Sequence, residues 1–244
     1  MEVHKHPHHV THKKKWGEYL LEFFMLFLAV FLGFVAENIR EHQVEKARAK
    51  EYVTSFREDL SKDTAILQSG IQSLIKLSNN GDSLITLIQN GRTKSQGDIK
   101  KLYEYNITSL SGFLISLNDR TEAQLKNSGG LRLITNKKVI DGIVDYWKGA
   151  ERSKKIETDL NELRIKAREK SYLIFDSKFY AKQFTAGQRA VLDDAQLMTK
   201  DYITLTEFSN RIAHIKNLVS VYILFLKVQN EKSDSLMVVI DKEY

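Results

Sequence analysis

The chain has 244 residues, 42% of them hydrophobic and 28% charged, which suits one ordinary domain with a real core plus a membrane segment, or at most two small domains. It contains no cysteine, which excludes disulfides, thiolate metal sites and cysteine nucleophiles, and a single proline, Pro7, which leaves the rest of the chain free to be helix. The formal net charge of +6 is weighted to the front, where Lys5, Lys13, Lys14 and Lys15 stand against Glu2 alone; the nearly balanced remainder is a poor binder of polyanions, so no nucleic-acid partner is expected.

Residues 1–15 form a tail rich in His and Lys. Its imidazoles, His4, His6, His8, His9 and His12, are weak candidates for binding Zn²⁺, Ni²⁺ or Cu²⁺. A tail without fixed geometry that only adds positive charge at a cytoplasmic membrane surface needs no metal, and that reading is adopted here. No cofactor is expected anywhere in the chain.

Residues 16–36, from Trp16 to Ala36, carry the strongest signal. The charge-free part, Phe23 to Ala36, is 14 residues long, and the flanking Trp16, Tyr19, Leu20 and Leu21 extend the stretch to 21. Crossing the hydrocarbon of a bilayer takes roughly 20. Trp16 and Tyr19 suit the headgroup level, where amphipathic rings prefer to lie. Lys13, Lys14, Lys15 and Lys5 favour a cytoplasmic N-terminus, while Arg40, Lys46, Arg48 and Lys50 beyond the span are interleaved with Glu37, Glu41, Glu45 and Glu51. Two rivals to a retained anchor are a cleavable signal peptide ending near Ala36 and a short buried core helix.

One face of this predicted helix differs from the rest. At 100° per residue, Glu18, Glu22, Ala29, Gly33 and Ala36 fall within about 60° of one another, opposite a surface of Phe, Leu and Val. Ala29 and Gly33, four apart, let another helix approach closely in lipid, and Glu22 is costly against acyl chains. This face either packs on a partner helix, with Glu22 meeting a donor there, or sits partly in the interface with its small residues incidental.

Past Ala36 no breaker interrupts the pattern, so the anchor is expected to continue into a soluble helix. Val53, Phe56, Leu60, Thr64, Leu67, Ile71 and Leu74 recur three or four apart, up to a stop at Asn79-Asn80-Gly81. If unbroken, Glu37 to Ser78 measures about 60 Å at 1.5 Å per residue. Shorter helices are predicted over Asp82–Gln89, Asp98–Leu117 and Thr121–Gly130, the last with a glycine stop. A second long helix is expected from Lys137 to about Phe184, with Ile156, Leu160, Leu163 and Ala167 as a narrow, coiled-coil-like seam. The last helix has the cleanest stripe: Leu205, Phe208, Ile212, Ile215, Val219, Tyr222 and Leu226. Its run Leu218–Leu226 is too short to span a bilayer and reads as core.

No pattern supports catalysis. His214 adjoins the last core stripe and is expected to be a satisfied structural histidine rather than a ligand, whereas His42 lies in an exposed charged stretch. Ser128-Gly129-Gly130 with Arg132 has the makings of an anion cradle, although a helix stop accounts for it. Asp193-Asp194 is expected to cap or start a helix. Asp141, Asp145 and Trp147 are ordinary for an amphipathic helix. No serine triad, H-E-x-x-H or calcium loop occurs.

The stretch Lys15-Trp-Gly-Glu-Tyr-Leu-Leu-Glu-Phe-Phe-Met-Leu-Phe-Leu-Ala-Val-Phe-Leu-Gly-Phe-Val-Ala-Glu-Asn-Ile-Arg-Glu-His42 resembles a family of uncharacterised single-pass inner-membrane proteins of Gram-negative bacteria. Leu125-Lys-Asn-Ser-Gly-Gly-Leu-Arg-Leu-Ile-Thr-Asn136 looks like a second feature of that family. The resemblance implies an inner-membrane protein with its body in the periplasm and brings no activity or catalytic residue with it.

The expected protein is therefore all-α. A cytoplasmic tail (1–15) and one transmembrane helix (16–36) precede a periplasmic domain (37–244) built as an elongated antiparallel bundle with coiled-coil-like seams. The expected function is that of a non-enzymatic interaction subunit, whose partners are membrane lipid and either its own copy or another integral membrane protein, such as a transport or energy-coupling complex. The competing class is a helical sensor or small-molecule binder. Against it stand a tail of only 15 residues and the lack of a second expected membrane helix to carry a signal.

Overall fold

The computed structural model describes residues 15–181, 192 and 194–244, and every regular element among them is helical. The histidine tail, Phe184 and Asp193 lie outside the described residues. In chain order the helices are α1 (Trp16–Gln89), α2 (Gln96–Ser109), α3 (Arg120–Asn127), α4 (Lys137–Ser171), the single-turn α5 (Lys178–Ala181) and α6 (Tyr202–Glu243). A 3₁₀ turn, Gly130–Leu133, follows α3, and one isolated bridge pairs Phe175 with Leu197. The chain divides into two compact units, residues 1–49 and 50–244.

In the first unit, residues 16–49 are continuous α-helix. Every large apolar side chain from Trp16 to Phe34 named in the apolar run is exposed, from 36% at Leu28 to 82% at Trp16. Phe23, Phe27 and Phe31 stack one turn apart, with ring centroids 6.5 and 6.0 Å from their neighbours.

In the second unit, three long helical stretches bury one another's inner stripes. Opposed contacts fix their directions. Arg57 of α1 pairs with Asp241 of α6 at 2.5 Å, Thr64 meets Ser233, and Asp82 pairs with Lys216, so α1 and α6 are antiparallel. Asp145 of α4 pairs with Lys232 and Glu207 of α6 with Lys170, so α4 and α6 are antiparallel too. The apolar core falls into two clusters. One joins Leu67–Ile88 of α1, α2, the second half of α4 and the first half of α6; the other joins Val53–Leu60, Leu125, the first half of α4 and Leu236 and Ile240.

Several boundaries differ from expectation, each for a tertiary reason. Asn79-Asn80-Gly81 does not stop α1, because Leu77, Leu84, Leu87 and Ile88 are all buried and carry the helix through. Gly81 lies against α6, where an added Cβ would stand 3.1 Å from the Lys216 stem. The stop falls instead at Gly91, in the left-handed region at φ 64°. Helix α2 ends at Ser109 rather than Leu117, leaving 110–119 as a loop held from outside the helix. Helix α4 ends at Ser171, because Ile174 and Phe175 are fully buried and turn the chain inward. Tyr103 fixes that turn, donating to the Gln196 carbonyl at 2.8 Å and accepting from the Asp176 amide at 2.9 Å. Asp194 sits in an exposed turn and starts no helix; Asp201 caps α6, accepting from the Thr204 amide at 2.8 Å. His214, beside the core stripe, is exposed, because Ile212, Ile215 and Val219 take the inner positions. Helix α6 also runs past Leu226 to Glu243.

Both α1 and α6 are long and apolar enough to cross a membrane. They differ in cover: none of the most apolar window of α1 is buried, against 33% of that of α6.

Candidate functional site

Glu18, Glu22, Ala29, Gly33 and Ala36 all lie on the regular, exposed first stretch of α1, so helical geometry places them on one face. The Phe23, Phe27 and Phe31 ring stack is on the far side of the helix, centred about 155° away at 100° per residue. Around Gly33 nothing lies within 4 Å of the space a Cβ would take, so its backbone is open to a close approach.

The second unit contains a buried polar layer between its two apolar clusters, which periodicity alone does not reveal. Asp59 and Asp63, one turn apart on α1, are 3% and 1% exposed. Asp63 accepts from the Asn118 amide N–H at 2.8 Å, the Asn118 side-chain amide at 2.7 Å and the Tyr146 hydroxyl at 2.7 Å. Asp59 accepts from the Thr121 hydroxyl at 2.5 Å and the Thr121 N–H at 3.3 Å. That second bond caps α3 from another helix, since the local cap residue, Asp119, makes no side-chain cap bond. On the facing side Gln229 donates to the Tyr146 carbonyl at 2.9 Å and Ser233 to the Leu60 carbonyl at 3.1 Å. Burial is the main reason the Asp63 carboxyl is pushed above the usual carboxylate range, and it raises the Tyr146 phenol as well. The phenol stays protonated and donates to the carboxylate. The layer is a clasp joining α1, α4, α6, the 110–119 loop and the start of α3.

Ser128-Gly129-Gly130 is not an anion cradle. Gly129 takes the left-handed conformation of a helix stop at φ 65°, the Gly130 amide already donates to Ser128 Oγ at 3.2 Å, and the Tyr52 ring fills the space beside Gly130. His42 is exposed, as its charged surroundings led us to expect. Among the described residues no group of three or more His, Asp and Glu side chains is arranged to hold a metal, and the histidine tail lies outside them.

Two cationic residues of α4 escape sequence reasoning altogether. Arg164 is 6% exposed, and it and the exposed Arg168 both donate to the Leu110 carbonyl, at 3.1 and 2.7 Å. Their stretch reads as a solvated charged surface. The one available signal was spacing: Leu160, Arg164, Ala167 and Ser171 continue a four-three-four inner stripe.

The chain matches no protein-family model, no curated protein and no solved structure.

Proposed function

We propose that this chain is a non-enzymatic, membrane-anchored interaction subunit. The observation that carries the reading is the uncovered apolar surface of α1: a 74-residue helix whose most apolar window has no part buried within the protein. Exposing that much apolar side-chain surface to water is costly at about 25 cal/mol per Å², and lipid removes the cost. Trp16 to Ala36 is the span, a single pass, with the lysine-rich tail cytoplasmic and the body periplasmic, as the charge bias before the span and the resemblance to single-pass inner-membrane proteins support. The body is an antiparallel helical bundle with coiled-coil-like seams.

Within the membrane, the Ala29/Gly33 face packs on a second helix, supplied by another copy or by another integral membrane protein. Openness at Gly33 supports this, because helix association in lipid gains chiefly from close backbone approach. Detergent extraction of the full chain followed by native mass measurement tests the assembly. A discrete homo-oligomer or a stable hetero-complex is expected, and Gly33→Leu is expected to shift it toward monomer by about ten-fold or more in dissociation constant. A wild-type monomer, or a G33L protein that assembles unchanged, removes the membrane face from the proposal. Glu22→Leu reports separately on the polar end of the same face.

A further inference from the structure

Beside the second half of α4 lies a feature that packing does not account for. An open cleft of about 460 Å³ separates the C-terminal end of α2 and the following loop from the last turns of α4. That volume is within the range of small-molecule sites, about 300–1,000 Å³. Ile107 and Leu110 line it from the end of α2, and Arg168 and Tyr172 from the end of α4, with Gly112 and Ser177 beside them.

Behind Gly112 stands the Arg164 guanidinium, 3.4 Å from the space a Gly112 Cβ would take, so a larger residue there would crowd it. It lies over the Phe113 ring at 5.6 Å, and its Nε is buried with no hydrogen-bond partner. Neither Arg164 nor Arg168 forms an ion pair with a carboxylate of the described residues. The nearest electrostatic relief for Arg164 is Glu157. That carboxyl is itself held above the usual range, mainly by burial, while accepting a hydrogen bond from the Ile115 backbone.

The bland account is that both arginines cap α2, since Leu110 is its C-cap residue. Magnitudes argue against that as the whole explanation. A helix C-terminus presents about half a negative charge, whereas two guanidiniums bring two full positive charges. Burial and the Arg168 charge both hold Arg164 below the usual guanidinium value. A buried charge is costly unless paired and hydrogen-bonded. What the site lacks is negative charge carrying acceptor oxygens.

We infer that this cleft binds a small amphipathic oxyanion, with a carboxylate or phosphate head at Arg168 and an apolar body of about one ring on Ile107, Leu110 and Tyr172. The inference goes beyond the anchoring reading and does not depend on it. Guanidiniums suit such a head because their forked donors match the geometry of carboxylate and phosphate oxygens.

The test is calorimetric titration of the full chain, held in nanodiscs of phosphatidylcholine, with phenyl phosphate, inorganic phosphate and benzyl alcohol. Phenyl phosphate is expected to bind once per chain and several-fold more tightly than inorganic phosphate, while benzyl alcohol gives no saturation. Arg168→Gln, at an exposed position, is expected to weaken phenyl phosphate about ten-fold or more while the helical circular dichroism signal stays that of wild type. Tyr172→Ala is expected to weaken phenyl phosphate while leaving inorganic phosphate unchanged. Repeating the titration in nanodiscs containing phosphatidylglycerol distinguishes the natural source. A drop in apparent affinity marks a lipid headgroup as occupant, and no drop marks a soluble molecule. The inference is overturned if phenyl phosphate fails to saturate at millimolar concentration, if benzyl alcohol binds as well, or if R168Q binds as wild type does.

Discussion

Asp63, not the Thr64 of the expected stripe, takes the inner position between Leu60 and Leu67, and the structure buries it there as a carboxylate with three donors around it. Asp63→Leu leaves those donors without an acceptor, so it is expected to destabilise the protein by about 2–4 kcal/mol, measured by chemical denaturation. Asp63→Asn keeps the shape and one acceptor, and the Tyr146 hydroxyl can turn to accept; it is expected to stay within about 1 kcal/mol of wild type at neutral pH. The pH dependence has a definite sign. Because burial raises the folded carboxyl, the native state holds a proton over a window in which the unfolded chain has released it. Its contribution is fullest below that window and is lost as pH rises through it. Lowering the pH through the carboxylate range should therefore favour wild type over D63N. A flat or opposite trend would show that the three donors outweigh burial. Arg164 illustrates the same lesson with the opposite charge: a polar residue standing at an inner position of a helix stripe.

Helix α6 shows how an element can be regular and yet misread. Its apolar stripe ends at Leu226, but the buried positions continue through Gln229, Ser233, Leu236 and Ile240 in the same three-four rhythm. Two polar residues in that continuation are what hid the second half of the helix. They bind α4 and α1, and Gly149 of α4 is the space into which the Gln229 amide fits. Gly149→Ala would raise helix propensity by about 1 kcal/mol in an exposed helix. Here it is expected to destabilise by about 1–3 kcal/mol, because the buried Gln229 side chain must leave its bond to Tyr146. Pairing it with Gln229→Ala tests the cause: the double variant should lose less than the sum of the two single changes. Additivity in that cycle would detach Gly149 from the polar layer. At the Asn80-Gly81 site the reverse holds, because apolar burial on both sides overrides two poor helix formers.

For the molecule as a whole, the decisive property is the contrast between its two units. Residues 50–244 carry two apolar clusters of their own, whereas the apolar side chains of residues 16–36 have no cover within the protein. The full chain is expected to remain with membranes through alkaline carbonate washing and to require detergent for extraction. Release into the aqueous phase would contradict the anchor. In circular dichroism the extracted protein should be strongly helical and show no sheet contribution.

All-helical character, the exposed apolar run near the front and the inner stripes of α1 and α6 were legible in the amino-acid order. Each follows from local physics: proline confined to one early position, a charge-free run of 14 residues extended by flanking apolar and aromatic side chains, and a three-four repeat that only one helical face can satisfy. Only the tertiary structure decided where Asp59, Asp63, Arg164, Gln229 and Ser233 reside, that α1 runs unbroken through Asn79-Asn80-Gly81, where α4 ends, and that a cleft opens beside two guanidiniums. Those outcomes depend on partners far away in the chain. A polar side chain is tolerated inside when a distant donor or carbonyl satisfies it, and a helix passes or obeys a stop signal according to what lies across from it.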